Sequence, residues 1–352
     1  MNNINVSTVL PIDLTSDISG RARIKKLPFN VKELRFRTYL HSSFANGLSG
    51  LRDTFAMSGF ESTGCTLFGE PGVGKSRLIR YFLTEVYAKP EYRATDTVTP
   101  IPIILIRVPG KPSIKGICEQ ILKCTQKHYI PPSKTGDSAQ LRVSRVLQHL
   151  NVEMIIFDEF QHLLRKNATI RTADVIAFIK VLMDEHALSV VFAGLPEAKE
   201  LLEEHPELSQ RMSFAKVDLY AFSLQKTGPC NIKDFAAYIK SIEVNFFELG
   251  VSIFPMANTD MLTRLFLATL GVPRRIGQLF TRVMLKYHDT SEITQEQFQQ
   301  VFDLMPFNKT NGFSLFTETP SKVKSSYERL LKMQNETPLT VESKHKSGSR
   351  LG

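Results

Sequence analysis

The stretch TLFGEPGVGKSRLIR, residues 66–80, decides the reading of this 352-residue chain. Gly69, Gly74, Lys75 and Ser76 complete the pattern G-x-x-x-x-G-K-[ST], preceded by a short apolar run and followed by an amphipathic one. Glycines let the backbone curl so that successive N–H groups face phosphate oxygens, and the dipole of the following helix adds positive potential. The candidate cradle is therefore Gly69, Glu70, Pro71, Gly72, Val73, Gly74, Lys75, Ser76 and Arg77. Within it Lys75 is placed to bridge terminal phosphates and the Ser76 hydroxyl to ligate Mg2+.

A second signature lies at residues 154–159, MIIFDE. An apolar run ending in two acids describes a buried parallel strand whose C-terminal edge presents Asp158 and Glu159 beside the phosphate loop. Asp158 is expected to hold Mg2+ through water. Glu159 is expected to polarise a water for in-line attack on a γ-phosphate. The two signatures, in this order and each after a buried strand, point to a Mg-ATP site.

Composition sets the outer limits. A hydrophobic content of 42% over this length suffices for one large core and a smaller one. Cys65, Cys118, Cys124 and Cys230 form no C-x-x-C pair, which argues against a zinc site or disulfide framework and for free thiols in a reducing compartment. The opening MNNINVSTVLPIDL lacks a charged segment followed by a long apolar core, and no apolar run approaches the span of a bilayer. A cytoplasmic protein without a membrane role is expected. The net charge of +9 favours a polyanionic partner.

Four regions are expected along the chain. Residues 1–58 form a basic arm and leading helices: between Arg21 and Arg37 there are seven Lys/Arg against Glu33 alone, and Leu34, Leu40, Phe44, Leu48, Leu51 and Phe55 follow at helical spacing. Residues 59–222 form an α/β unit, a doubly covered parallel sheet of five strands near 64–68, 101–108, 154–159, 189–193 and 215–219. Residues 223–305 carry only helical patterns, near 231–249, 260–270, 273–287 and 295–302, and read as a small all-α lid. Residues 306–352 form a basic, largely flexible tail, with eight Lys/Arg against four Glu from Asn308 onward and one short helix near 321–333.

After the second strand a helix is expected from about Ser113, with Ile114, Ile117, Ile121 and Leu122 on its apolar face. Lys111, Lys115, Lys123 and Lys127 lie on or beside the other face, and the loop PPSKTGD follows at 131–137. That lysine face reads equally as solvated surface or as nucleic-acid contact.

Four stretches together, the phosphate loop, VPGKPSIKGICEQIL at 108–122, MIIFDEFQHLL at 154–164 and AGLPEAKELLEEHPELSQRMSF at 193–214, resemble the TniB/TnsC family of transposition ATPases, an AAA+ group. The similarity covers roughly residues 60–300, and DEFQHLL and GLPEA carry more of it than the phosphate loop does. The resemblance implies an ATP-dependent regulator that assembles as a ring or helical filament on duplex DNA. It also implies a link between a TniQ-type target selector, RNA-guided or itself a DNA-binding protein, and a DDE transposase. Carried over residue by residue, Lys75, Ser76, Asp158 and Glu159 keep the roles already given. Arg211 in LSQRMSF falls where the family places an arginine finger, and Arg274 in GVPRR matches the second sensor. For DNA, the family uses the helix and loop after the second strand, which here offer Lys111, Lys115, Lys134 and Thr135.

One departure matters. Relatives carry a polar residue after the glycine that ends the fourth strand, whereas this chain has Leu195, which can neither donate nor accept a hydrogen bond. Slow turnover is expected from it, with nucleotide acting more as an assembly switch than as fuel. Two other classes compete. An Orc/Cdc6-like initiator would share the fold, but the residues after Phe302 are too few and too polar for its winged-helix domain. A signalling or defence scaffold that uses ATP only to control oligomerisation would share the site but not the dependence on DNA.

Overall fold

A computed structural model describes residues 28–92, 100–125, 138–164, 169–308 and 313–336. Two helices lead, α1 (Phe29–Phe36) and α2 (Ser42–Ala56). The α/β unit then runs β1 (Gly64–Gly69), α3 (Lys75–Tyr87), β2 (Ile103–Arg107), α4 (Ile114–Thr125), α5 (Ala139–His149), β3 (Met154–Asp158), α6 (Thr169–His186), β4 (Ser189–Gly194), α7 (Ala198–Glu203), α8 (Pro206–Arg211) and β5 (Ala215–Leu219). A 3-10 turn, Phe160–Leu164, follows β3.

The five strands are all parallel, in the order β2-β3-β4-β1-β5. Successive side chains of a strand face opposite ways, so an unbroken apolar run serves two cores at once. Ile155 and Phe157 of β3 join Val190 and Phe192 of β4 on one face, under Ile117, Ile121, Val146 and Ile179 of α4, α5 and α6. Met154 and Ile156 join Val191 and Leu67 on the other face, under Phe44, Leu48 and Leu51 of α2 and Leu78, Phe82 and Val86 of α3. The expected doubly covered five-stranded sheet is thus the observed one.

The second unit contains α9 (Ile232–Glu248), β6 (Ser252–Ile253), α10 (Thr259–Thr269), α11 (Pro273–Tyr287), β7 (Glu292–Ile293), α12 (Gln295–Asp303) and α13 (Pro320–Glu336). The expectation of an all-α lid needs correcting here. β6 and β7 form a two-residue parallel pair, Ser252↔Glu292 and Ile253↔Ile293, that ties the turn after α9 to the turn after α11. Two-residue strands carry no readable periodicity, which is why the sequence hid them.

The boundary drawn at 306 also falls inside this packed unit. Leu315, Phe316 and Val323 are buried in the same apolar cluster as Phe280, Phe298 and Phe302. Phe316 stands edge-on to both Phe298 and Phe302, with ring centroids 4.8 and 5.2 Å apart. Gln299 accepts the Phe316 N–H at 2.6 Å, and the buried Arg264 guanidinium donates to Leu315 O at 2.6 Å. Residues 1–27 and 337–352, holding most of the expected arm and the end of the tail, lie outside the described residues. Among the described residues no helix is long and apolar enough to cross a membrane.

The leading helices divide between the units. α1 joins the lid, with Val31 in its core and Asn30 donating to Leu249 O at 3.0 Å. α2 covers the sheet, and its Ser43 hydroxyl donates to Asp218 O at 3.2 Å. Residues 37–41 bridge the two and end in His41, which is 5% exposed against the rings of Phe44 and Phe222. Burial pushes the His41 imidazole down to about 4, with nearby Asp234 opposing.

The folded state therefore keeps His41 neutral while the unfolded chain protonates it near 6.5. Its contribution is fully present above the unfolded value and is lost as pH falls from there toward the folded value. The loss should reach about 3 kcal/mol. The urea midpoint is expected to drop between about pH 7 and about pH 4.5, and His41→Gln to flatten that drop. An equally steep profile in the variant would show that His41 does not titrate with unfolding.

Candidate nucleotide site

The loop after β1 is shaped by its glycines. A Cβ on Gly69 would sit 2.5 Å from Leu219 O of the neighbouring strand β5, so the chain leaves β1 in contact with backbone. Gly72 and Gly74 take φ of +90° and +118°, a region that L side chains rarely adopt. α3 then starts at Lys75, and Arg77 N–H and Leu78 N–H both donate to Gly74 O at 2.9 Å. The N-terminal end of α3 faces the cradle with its dipole, a ready anion site. Lys75 folds its ammonium onto the loop, donating to Gly69 O and to Glu70 O, the latter at 3.1 Å. Burial holds its pKa below the usual lysine range, opposed by the charges of Asp158, Glu159 and Glu70.

β3 delivers the acids to the same end of the sheet. Asp158, the last residue of β3, lies opposite Arg107 of β2. Burial raises the Asp158 carboxyl, while a 2.9 Å hydrogen bond from Glu159 N–H to Oδ1 opposes the rise. Glu159 itself is left-handed at φ +60°, a conformation costing a non-glycine residue about 1–2 kcal/mol. The bend ends the strand at Asp158 and turns the chain into the 3-10 turn that follows.

Arg274, at the start of α11, comes down from the lid. Its backbone N–H donates to Gly72 O at 3.0 Å, and its charge acts on Lys75. A Cβ on Gly72 would meet Val272 Cγ1 at 2.9 Å and Arg274 Cβ at 3.2 Å. Lys75, Asp158, Glu159 and Arg274 thus converge. The cradle and its donors fit a Mg-nucleoside triphosphate: backbone N–H groups and Lys75 for the phosphates, and the hard oxygens of Ser76 and Asp158 for the metal. When bound, that metal would neutralise charge on the terminal phosphate oxygens.

Other expected residues lie elsewhere. The Arg77 guanidinium turns away from the cradle and donates to Thr38 Oγ1 at 2.9 Å and Arg37 O at 2.7 Å, tying α3 to the 37–41 bridge. Arg211 ends α8, just before β5, and β5 starts level with Cys65 at the start of β1. It therefore lies at the opposite end of the sheet from its own phosphate loop, which follows Gly69, roughly 13 Å further along the strand. Its guanidinium forks onto both carboxylate oxygens of Asp184. Lys111 and Lys115 are exposed on and after the turn that leaves β2, and Lys115 is 3.9 Å from Glu119. Lys134 and Thr135, like Lys127, lie outside the described residues.

Sequence reasoning assigned no role to three further groups. Gln161 links Glu159 to the head of β4, His162 Nδ1 is 3.0 Å from Val108 O at the start of the lysine-bearing turn, and Arg107 faces Asp158. Only the DEFQH string marked the first two, and nothing in it says what they touch. A cleft of about 380 Å³, lined by Phe55, Phe82, Glu85, Tyr92 and Glu153, sits at the other end of the strands, away from the phosphate loop.

Sheet order, phosphate loop, paired acids and lid arginine define an AAA+ P-loop protein. Solved structures agree on the fold. The Aeropyrum pernix ORC2 protein (ADPNP-ADP complexes) is 15% identical over 83% of this chain and 80% of that one, with a TM-score of 0.52. The Aeropyrum pernix ORC1 protein, solved in complex with DNA, is 15% identical over 84% of each chain, also at 0.52. The family described as Bacterial TniB protein matches residues 37–222, more than half of the chain, and the chain belongs to that family. No curated protein matches the sequence.

Gly72→Ala tests the shared backbone of loop and lid. The added methyl collides with Val272 and forces an unfavourable φ, so affinity for a fluorescent ATP analogue is expected to fall at least about tenfold. Unchanged affinity would show that the lid does not hold the loop in its binding shape.

Proposed function

We propose that this protein is a Mg2+-dependent ATPase that regulates DNA transposition. ATP-bound subunits assemble on duplex DNA, connect a TniQ-type target selector to a DDE transposase, and come apart after hydrolysis. Membership of the TniB family supports the link to transposition. The observation that carries the assembly is the place of Arg211, on the surface and at the far end of the sheet from its own phosphate loop. A guanidinium there can serve a triphosphate only in a neighbouring copy.

The chemistry follows from the groups that converge. Lys75 and Arg274 offset charge on the terminal phosphates, and Ser76 and Asp158 would hold the metal when it is bound. Glu159 accepts a proton from water as its oxygen bonds to the γ-phosphorus; the bond to the β–γ bridging oxygen breaks and ADP leaves with that electron pair. Lys111 and Lys115, with Lys134 and Thr135 further along the sequence, supply the DNA face. Such contacts neutralise phosphates, so binding is largely sequence-independent and weakens with salt. Target choice then falls to the partners.

Imaging the purified protein with a nonhydrolysable ATP analogue, with and without duplex, is the test. Ordered assemblies are expected only when both are present. Arg211→Ala should bind ATP normally while losing assembly and at least about tenfold of the hydrolysis rate. Lys111→Glu should weaken DNA binding and spare ATP binding. Assembly indifferent to duplex would instead mark an ATP-controlled scaffold and overturn the DNA reading.

A further inference from the structure

We propose that Gln161 is a positioning residue for ATP hydrolysis, supplying from the turn after β3 the polar group that Leu195 omits at the head of β4. The proposal rests on the ATPase reading above and deepens it. Gln161 Nε2 donates to Glu159 Oε2 at 2.6 Å, and Gln161 Oε1 accepts the Leu195 N–H at 3.1 Å. A carboxylate only accepts and a backbone N–H only donates, so chemistry fixes which way the amide faces. Leucine at 161 can make neither bond, methionine offers only a weakly accepting sulfur, and glutamate cannot offer an N–H to the carboxylate.

The surroundings are built for this bridge. A Cβ on Gly194 would sit 2.6 Å from Gln161 Oε1 and 3.3 Å from Phe160 N, so glycine at the end of β4 leaves the amide its space. Phe160, fully buried, stacks on Phe192 of β4 with ring centroids 3.9 Å apart, which pins the turn to the strand it reaches across to. Glu159, left-handed at φ +60°, is thereby held at both ends: its N–H on Asp158, its carboxylate on Gln161.

The register says where the bridge lies. Phe157 pairs with Phe192, and Gly194 pairs with Phe68 of β1, so Glu159, the head of β4 and the start of the phosphate loop stand at one level. β4 lies between the other two strands. The head of β4 therefore lies between the strand that carries Glu159 and the strand that leads into the cradle, and there the Leu195 side chain offers nothing polar while the Gln161 amide does. With Gln161 there, Leu195 no longer implies slow turnover.

Turnover of Gln161→Leu is expected to fall roughly 10- to 100-fold in kcat, with KM and equilibrium ATP affinity within about twofold of wild type. In the nucleotide-free protein, hydrogen exchange at the Leu195 amide should speed up by at least about tenfold. The double variant Gln161→Leu with Leu195→Asn returns a polar side chain from β4 itself and should recover about tenfold in kcat, which a merely structural role would not do. Gln161→Met serves the same comparison if the leucine variant does not fold. Near-wild-type kcat in a folded single variant overturns the proposal, as does a loss that the double variant fails to recover. Wild-type protein that does not bind ATP, or Glu159→Gln turning over like wild type, would instead remove the ATPase reading and leave the exchange result to stand alone.

Discussion

Two backbone hydrogen bonds set the start of α11, one to the chain just past β5 and one to the phosphate loop, and the site depends on them. Phe222, just past β5, donates its N–H to Gly271 O at 2.9 Å, and Arg274 donates its own to Gly72 O at 3.0 Å. Gly271 is at φ +67°, and a Cβ there would overlap Phe222 O, so only glycine permits the approach. Backbone groups have no rotamers through which to adjust, and buried ones must stay paired. The height of α11 over the cradle is therefore fixed by the chain itself. Arg274 and the loop shift together or the pairing breaks.

A second crossing sits on the other side. Residues 37–41 leave α1 on the lid and enter α2 on the sheet, and Arg77 of the phosphate-loop helix grips them by Thr38 and by Arg37 O. Phe222 gathers the two crossings: it stacks on Phe235 and Tyr238 with centroids 5.2 and 4.8 Å away, and meets the buried His41 edge-on at 5.0 Å. Hinges are a few element-terminal residues that absorb a change of angle, and residues 37–41 and 220–231 are the covalent links between sheet and lid. Arg77 is thus of more consequence as a tie between α3 and the hinge than as a phosphate ligand.

The strands were legible because each is an apolar run with turn residues at its ends, and the lid helices because their starts are chemically marked. Asn231, Asn258 and Thr294 accept N-cap hydrogen bonds, and Pro273 opens α11 where its missing N–H costs nothing. The phosphate loop was legible because spacing of glycines constrains the backbone locally. What stayed hidden depends on partners distant in sequence. FSLF at 313–316 is too short to show a period, and only the waiting faces of Phe298 and Phe302 make Phe316 core. Gln161 is one polar letter in a helical-looking string until β4 is known to end beside it. Arg77 follows the motif in sequence, so it reads as a cofactor contact until the bridge at 37–38 is seen under its side chain.

The pairing of Arg211 with Asp184 has a consequence for any assembly that shares its nucleotide between copies. Both side chains are substantially exposed, at 33% and 53%, and an exposed ion pair contributes only about 0–1 kcal/mol. A guanidinium held this loosely can leave its carboxylate for a triphosphate at little cost, and the new partner carries more charge in a drier setting. On the proposed role of Arg211 in a neighbouring site, Asp184 would be its resting partner, ordering the arginine while a subunit is alone, lowering the entropy lost on docking, and yielding when a neighbour offers phosphate. A buried pair could not do this, because breaking it would strand a desolvated charge. The exposure of this pair is also why the lone subunit gains little stability from it.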